Sequence, residues 1–257
     1  MDPNSYQDLA LIDAYFLQGR APTGTRRADL SYEAAVQQYH EGMPVAYLLG
    51  DAPFFDRLVF VAPGVLIPRP ETEGLVQAAC TYIGAVSVTH IADVGYGTGC
   101  IALEMARRFP NASICGWDIS PIAYQTAQRN CQKLDSETVT LYRQDVFEAI
   151  ASGSMIQSGL IISNPPYVNM QDSALAKTVQ NYEPRIALDG GDGGLAWIQK
   201  FLMNMASAEH QQLFFALEIG YDQGQRVRDM MTYYGYKHIQ INSDLSGQDR
   251  YALGQLT

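Results

Sequence analysis

The strongest constraint on the fold is a turn with three glycines that joins a strand-like segment to a helix-like segment. The apolar run 90–94 leads into this turn, in which Gly95, Gly97 and Gly99 alternate with Tyr96 and Thr98. Segment 100–109 follows, with apolar residues at helical spacing. Glycines let a ligand approach backbone N–H groups closely, and a helix N-terminus favours the anionic or carboxylate end of that ligand. The sequence therefore predicts an α/β unit that binds a nucleotide-like molecule.

Two acidic residues end further strand-like segments downstream. Segment 113–117 ends at Asp118, about twenty residues beyond the glycines, where an acid can accept hydrogen bonds from both ribose hydroxyls. Dinucleotide dehydrogenases share this spacing, so another cofactor or a purely structural turn stays open. After segment 139–144, Asp145 can accept an adenine amino hydrogen while Val146 covers the ring. Taken alone, Asp145 is better explained as the N-cap of a short helix at 147–151.

The tetrapeptide Asn164-Pro165-Pro166-Tyr167 follows the apolar run 160–163. The Asn164 side-chain oxygen and a prolyl carbonyl are uncharged acceptors that the two prolines can direct at one NH2 group, beside the flat face of Tyr167. A rigid turn at the end of a strand explains the four residues alone equally well. The order of the motifs favours a site, because an α/β sheet gathers the carboxyl ends of its strands at one crevice. Together the motifs predict methyl transfer to a planar nitrogen.

These motifs and several other segments resemble the release factor glutamine methyltransferase family. The similar segments are 42–50, 61–73, 182–191 and 217–220, and the resemblance extends from about residue 32 to the C-terminus. Within 61–73, the sequence Ile-Pro-Arg-Pro-Glu-Thr-Glu separates this family from DNA methyltransferases. Two features depart from the family pattern. The family turn usually carries Thr or Ser where Tyr96 stands, and the N-terminal helical region is shorter here.

The resemblance implies a cofactor, a substrate and roles for the motif residues. S-adenosylmethionine would be the cofactor and S-adenosylhomocysteine the product, with ribose held by Asp118 and adenine bordered by Asp145 and Val146. The methionine end would lie against the turn residues Gly95, Tyr96, Gly97, Thr98 and Gly99. The pocket for a glutamine amide would be formed by Asn164, Pro165, Pro166 and Tyr167. Of these, Asn164, Pro165 and Tyr167 would be catalytic, and Asn164 would also border the cofactor.

The implied substrate is a peptide chain release factor, methylated on the glutamine of its Gly-Gly-Gln motif. A methyltransferase of the same family that acts on another protein, or on a small-molecule amide or amine, is the alternative. A scaffold that binds the cofactor without catalysis is a third hypothesis, and the intact tetrapeptide argues against it.

The same resemblance predicts a Rossmann-like, doubly wound α/β sheet of seven strands, the last of them antiparallel. We expect a short N-terminal helical region at 1–52, a hairpin and connecting helix at 53–84, and the methyltransferase domain at 85–257. Predicted helices cover 6–18, 31–39, 69–82, 195–208 and 223–234, with Ser31 as a cap and 20–29 as a linker. A hairpin arm is predicted at 54–60, a buried strand at 212–219, and a final antiparallel hairpin at 238–242 and 250–253. The glycine-rich segment 189–194 predicts a turn rather than a second phosphate loop.

Charge and cysteine content narrow the partners. Lys and Arg number 17 against 27 Asp and Glu, and the net charge of −10 repels a phosphate backbone, which disfavours direct DNA binding. No apolar run approaches about 18 residues and no leader pattern is visible, so we expect a cytoplasmic protein with no membrane partner. The four cysteines and four histidines lack ligand spacing, and neither disulfides nor a metal is predicted. Arg69 and Glu183 either border the substrate mouth or form a plain salt bridge.

Overall fold

The computed structural model describes residues 3–16, 30–134, 136, 138–171 and 177–257. Its N-terminal region contains the helices α1 (Pro3–Phe16), α2 (Tyr32–His40) and α3 (Val45–Leu49). These helices share a small core formed by Ile12, Leu30, Ala35 and Leu48. The Ser31 hydroxyl accepts a hydrogen bond from the backbone N–H of Ala34, which confirms the predicted cap of α2. The predicted linker 20–29 lies outside the described residues.

A two-stranded hairpin and a helix connect this region to the main sheet. The strands β1 (Asp51–Phe54) and β2 (Arg57–Phe60) are antiparallel, so the predicted hairpin arm at 54–60 is one strand and the end of its partner. Helix α4 (Pro70–Ile83) begins with a proline, whose missing N–H costs nothing at that position. One face of α4 packs on the main sheet through Leu75, Val76, Ala79 and Ile83. The division of the chain at residues 52 and 84 stays a prediction.

Seven strands of the described part of the chain form the main sheet, which confirms the predicted doubly wound architecture. In chain order they are β3 (His90–Val94), β4 (Ser113–Asp118), β5 (Val139–Arg143), β6 (Gly159–Ser163), β7 (Leu213–Glu218), β8 (Lys237–Ser243) and β9 (Asp249–Leu256). Their spatial order is β5-β4-β3-β6-β7-β9-β8. Strands β3 to β7 are parallel, and β9 is antiparallel to both of its neighbours. The order reverses between β3 and β6, and ligands of such sheets bind at the carboxyl ends of the strands at that point.

Helices cover both faces of this sheet. The helices that follow β3 in the chain are α5 (Cys100–Arg108), α6 (Pro121–Lys133), α7 (Val146–Ala151), α8 (Lys177–Tyr182), α9 (Arg185–Leu188), α10 (Ala196–Ser207) and α11 (Gly224–Tyr233). One hydrophobic cluster contains α7, α10 and α11 on the first face, and another contains α4 and α5 on the second. The predicted turn at 189–194 contains one 3-10 turn, Asp192–Gly194, before α10. None of the described helices is both long and apolar enough to span a membrane.

Candidate active site

The glycine turn (residues 95–99) leaves the end of β3 and enters α5 through three left-handed backbone positions. Gly95, Gly97 and Gly99 have φ of 71°, 52° and 77°, a region that other residues rarely adopt. A Cβ at Gly99 would lie 3.1 Å from the Cβ of Ala127, so this glycine lets α5 and α6 approach. At Gly97 the nearest atom to such a Cβ is Cγ1 of Val65, at 3.8 Å. Gly97 is therefore required by its backbone conformation, and its surface faces the cavity described below.

Tyr96 replaces the small residue of the family turn, and its side chain lies inside the protein. The residue is 3% exposed and packs with Val65, Ala123 and Ala127. Space for its ring exists because residue 116 on β4 is glycine: a Cβ there would lie 2.7 Å from Cδ1 of Tyr96. The Tyr96 hydroxyl has no hydrogen-bond partner among the described residues. The tyrosine is thus accommodated by a missing side chain on the neighbouring strand.

Two acids stand at the ends of β4 and β5. The Asp118 carboxylate accepts hydrogen bonds from the backbone N–H of Gly97 at 2.9 Å and of Ser120 at 2.8 Å, which joins β4 to the glycine turn. Burial raises the pKa of Asp118, while these two hydrogen bonds lower it. Asp145 caps α7, because its Oδ1 accepts from the N–H of Phe147 at 2.8 Å. The N-cap interpretation of Asp145 is confirmed, and its contact with adenine stays a prediction.

A third acid, Asp93, lies on β3 beneath the glycine turn and is fully buried. Its Oδ2 accepts from the N–H of Ala102 in α5 at 2.9 Å. No hydrogen-bond partner of Oδ1 occurs in the part of the chain that the structure describes. Burial, the largest influence, raises the pKa of Asp93 to about 7.

The tetrapeptide is connected to two residues far away in the sequence. The Asn164 amide nitrogen donates to the Thr72 hydroxyl at 3.0 Å, and Thr72 donates to the Glu218 carboxylate at 2.8 Å. Tyr167 donates its hydroxyl to the other oxygen of Glu218 at 2.9 Å. Burial raises the pKa of Glu218 to about 7. The sequence alone predicts no role for Thr72 or Glu218, although both lie in segments that resemble the family.

These elements surround a cavity of about 730 Å³ at the carboxyl ends of the parallel strands. Of the residues predicted from the sequence, the cavity is lined by Gly95, Tyr96, Gly97, Thr98, Asp118, Asp145, Val146, Asn164 and Pro166. Gly99, Pro165 and Tyr167 are not among the described residues that line it. Gly99 packs against α6, and the Tyr167 hydroxyl is directed at Glu218. Ligand contacts of these three residues stay predictions.

The segment before α4 forms one wall of the cavity and is held from two sides. Tyr47 of α3 donates its hydroxyl to the carbonyl of Val65 at 2.6 Å, in the protein interior. Arg69 and Glu183 form an ion pair, and Glu183 also accepts from the N–H of Ile67. Arg69 lines the cavity as well, so the two interpretations offered for this pair do not exclude each other.

Another part of the cavity lining is aromatic, which the sequence did not predict. Phe147 and Trp197 line the cavity with ring centroids 5.6 Å apart, and the Lys200 ammonium lies 3.7 Å from the Phe147 ring centre. Ile186 lines the mouth and is 60% exposed. The sequence indicated only helices at 147–151 and 195–208, and the patterns of these helices carry no information about how their aromatic residues meet.

In this doubly wound sheet a glycine turn follows β3, acids follow β4 and β5, and Asn-Pro-Pro-Tyr follows β6. This arrangement defines a methyltransferase that uses a nucleotide cofactor. The methyltransferase small domain matches residues 79–189. The human methyltransferase 10 domain containing protein has the same fold, with a TM-score of 0.54 at 12% identity, covering 89% of this chain and 98% of that one.

Curated relatives are closer in sequence. The release factor glutamine methyltransferase of Vibrio cholerae is 34% identical over 225 residues, which is 88% of this chain and 78% of the relative. That of Escherichia coli K12 is 35% identical over 223 residues, 87% and 79% of the two chains. The chain belongs to the release factor glutamine methyltransferase family, and it is an S-adenosylmethionine-dependent methyltransferase.

Proposed function

We propose that the enzyme methylates the side-chain amide nitrogen of the glutamine in the Gly-Gly-Gln motif of a peptide chain release factor. The names of the relatives from Vibrio cholerae and Escherichia coli support a release factor glutamine as the substrate. The observation that carries the proposal is the orientation of Asn164 at the cavity. Its amide nitrogen is engaged by Thr72, so its oxygen is left to accept a hydrogen bond from a planar NH2 group.

The chemistry of the cavity fits S-adenosylmethionine. A volume of about 730 Å³ lies in the range of small-molecule sites. The carboxylate of Asp118 already accepts two backbone hydrogen bonds, and it has lone pairs left for the ribose hydroxyls. Val146, Phe147 and Trp197 offer apolar surface for adenine, beside the Asp145 carboxylate. The glycine turn would hold the methionine end, because Gly97 lines the cavity and has no side chain of its own to keep a ligand from its backbone.

An amide nitrogen is a poor nucleophile because its lone pair is delocalised into the carbonyl group. The bound cofactor would supply an electrophilic methyl group on a sulfonium sulfur. Asn164 Oδ1 and the Pro165 carbonyl would each accept a hydrogen bond from one N–H of the substrate amide. These two hydrogen bonds would aim the nitrogen lone pair at that methyl group. Placement of this kind contributes up to roughly 7–11 kcal/mol. The same two oxygens would stabilise the positive charge that develops on the N–H groups, by a few kcal/mol. The methylated nitrogen would then lose one proton to solvent and become a neutral N-methyl amide.

The test is transfer of a labelled methyl group to a purified release factor, followed by proteolysis and mass spectrometry. We expect one methyl group on the glutamine amide of the Gly-Gly-Gln peptide. The matched control is a release factor with alanine in place of that glutamine, which should stay unlabelled. Label on other peptides or other proteins, with none on the Gly-Gly-Gln peptide, would reject the proposal in favour of a different substrate.

Replacing Asn164 separates its role in the reaction from cofactor binding. For Asn164→Ala we expect kcat to fall by at least about a hundredfold, because the orientation of the amide is lost. The Kd for S-adenosylmethionine, measured by calorimetry, should change little. A variant with wild-type kcat at saturating substrate would remove Asn164 from the mechanism.

The cytoplasm, where release factors act, is the compartment that follows from this proposal. The thiols of Cys80, Cys100, Cys115 and Cys131 are all free, which suits a reducing compartment.

A further inference from the structure

A buried carboxylate lies beneath the tetrapeptide and belongs to none of the roles above. Glu218 is the last residue of β7 and is completely buried. One of its oxygens accepts from Thr72 at 2.8 Å, and the other accepts from Tyr167 at 2.9 Å. Thr72, in the first turn of α4, is 3% exposed and accepts in turn from Asn164. Glu218 is therefore connected to Asn164 through one hydroxyl group.

The direction of these hydrogen bonds follows from the number of protons available. A threonine hydroxyl has one proton, and an ionised carboxylate has none, so the proton of Thr72 points to Glu218. The Thr72 oxygen can then only accept from Asn164, which turns the amide so that its NH2 faces Thr72 and Oδ1 points away. If Thr72 donated to Asn164 instead, the opposite orientation would present an NH2 group to the NH2 group of the substrate. Two donors cannot hydrogen-bond to each other.

We propose that Glu218 is a positioning residue, which acts through Thr72 to hold the Asn164 oxygen toward the substrate amide. The proposal deepens the proposed function and rests on it. Burying a carboxylate is costly, and an apolar side chain of similar size often gives equal or greater stability. A role in fixing the direction of hydrogen bonds explains why an acid occupies this position.

Among the described residues, four groups carry or influence charge around Glu218. They are Glu71 on α4, Tyr167 after β6, and Arg250 and Tyr251 on β9. Burial outweighs Arg250 and the two hydrogen bonds, and it raises the pKa of Glu218 to about 7. Only the ionised carboxylate of Glu218 has no proton to donate and must accept from Thr72. The orientation of Asn164 therefore becomes fully fixed as Glu218 ionises. We therefore expect kcat of the wild type to rise with pH through about 7.

Glu218→Gln tests the direction of the chain of hydrogen bonds while keeping the shape of the side chain. Glutamine has one acceptor oxygen for the two donors Thr72 and Tyr167. All groups are satisfied only if that oxygen accepts from Tyr167 and the NH2 donates to Thr72, whose proton then turns to Asn164. We expect kcat to fall by about tenfold to a hundredfold, by analogy with outer-shell partners of metal ligands. The rise of kcat with pH should disappear, and the cofactor Kd should stay near that of the wild type.

Thr72→Val removes the connection itself and should lower kcat by a similar factor, whereas Thr72→Ser should recover most of that loss. The double variant Glu218→Gln/Thr72→Val should be no worse than either single variant, because both act through the same hydroxyl. Glu104→Gln is the matched control. Glu104 is 2% exposed and is paired with Arg107 and Arg108 on α5, so its loss should lower stability and leave kcat unchanged.

Nuclear magnetic resonance of asparagine-labelled protein provides a measurement that needs no substrate. The side-chain NH2 signal of Asn164, identified by its absence in Asn164→Asp, should move in Glu218→Gln and in Thr72→Val and stay in place in Glu104→Gln. This measurement distinguishes the two proposals, because its result does not depend on whether a release factor is methylated. The positioning role is overturned if Glu218→Gln keeps the wild-type kcat and pH profile, or if the Asn164 signal does not move. It is also overturned if the losses of kcat in the two single variants multiply in the double variant.

Discussion

Replacing Tyr96 by phenylalanine should stabilise the protein, because it removes a buried hydroxyl group that has no hydrogen-bond partner among the described residues. A buried hydroxyl without a hydrogen bond costs about 1–3 kcal/mol in mutational data. Against this, the lost oxygen gives up a few dispersion contacts of about 0.1–0.2 kcal/mol each. The free energy of unfolding should therefore rise by about 1 kcal/mol, and Tm by about 2–4 °C for a chain of this size.

The assay is urea and thermal unfolding of matched variants. Tyr236 provides the control, since it is as buried as Tyr96, at 3%, and its hydroxyl donates to the carbonyl of Leu202 at 3.1 Å. Tyr236→Phe removes this hydrogen bond and should lower the free energy of unfolding by about 1 kcal/mol. The two identical substitutions should thus have opposite signs. If Tyr96→Phe lowered Tm as much as Tyr236→Phe, the Tyr96 hydroxyl would be hydrogen-bonded, and the reasoning would be refuted.

Three further predictions concern the same part of the fold. Burial raises the pKa of Asp93 and of Glu218 to about 7, from 3.8 and 4.5, so the folded state binds their protons more tightly. The contribution of these two groups to the free energy of unfolding should fall by a few kcal/mol as pH rises from about 4 to about 7 and then level off. Urea titrations should show that the free energy of unfolding of Asp93→Asn and of Glu218→Gln depends less on pH than that of the wild type. Gly116→Ala should cost about 1–3 kcal/mol by overpacking against Tyr96, a loss that thermal unfolding should find reduced in a Tyr96→Thr background. Asn130→Ala breaks three hydrogen bonds that join α6 to the first hairpin and to the glycine turn. Urea unfolding should show that the free energy of unfolding falls by about 3 kcal/mol, and a variant as stable as the wild type would contradict this.

Asp145 and Tyr96 differ in whether neighbouring residues in the sequence are enough to predict their structural role. The structural interpretation of Asp145 as an N-cap is confirmed, because a cap involves only residues two or three positions away. Tyr96 was a departure that the sequence left unexplained. Its explanation is Gly116 on the neighbouring strand, and no local rule connects a turn residue to a glycine twenty positions later.

The sheet and the set of residues at its carboxyl edge could be predicted from the amino-acid sequence. Apolar strands, glycines that tolerate left-handed backbone, and acids in a fixed order are local properties, and parallel strands then bring their ends together. Tertiary structure alone decided how Asn164 is oriented. That orientation depends on Thr72 and Glu218, which are 146 positions apart in the chain, and on which partner receives the single proton of a hydroxyl group.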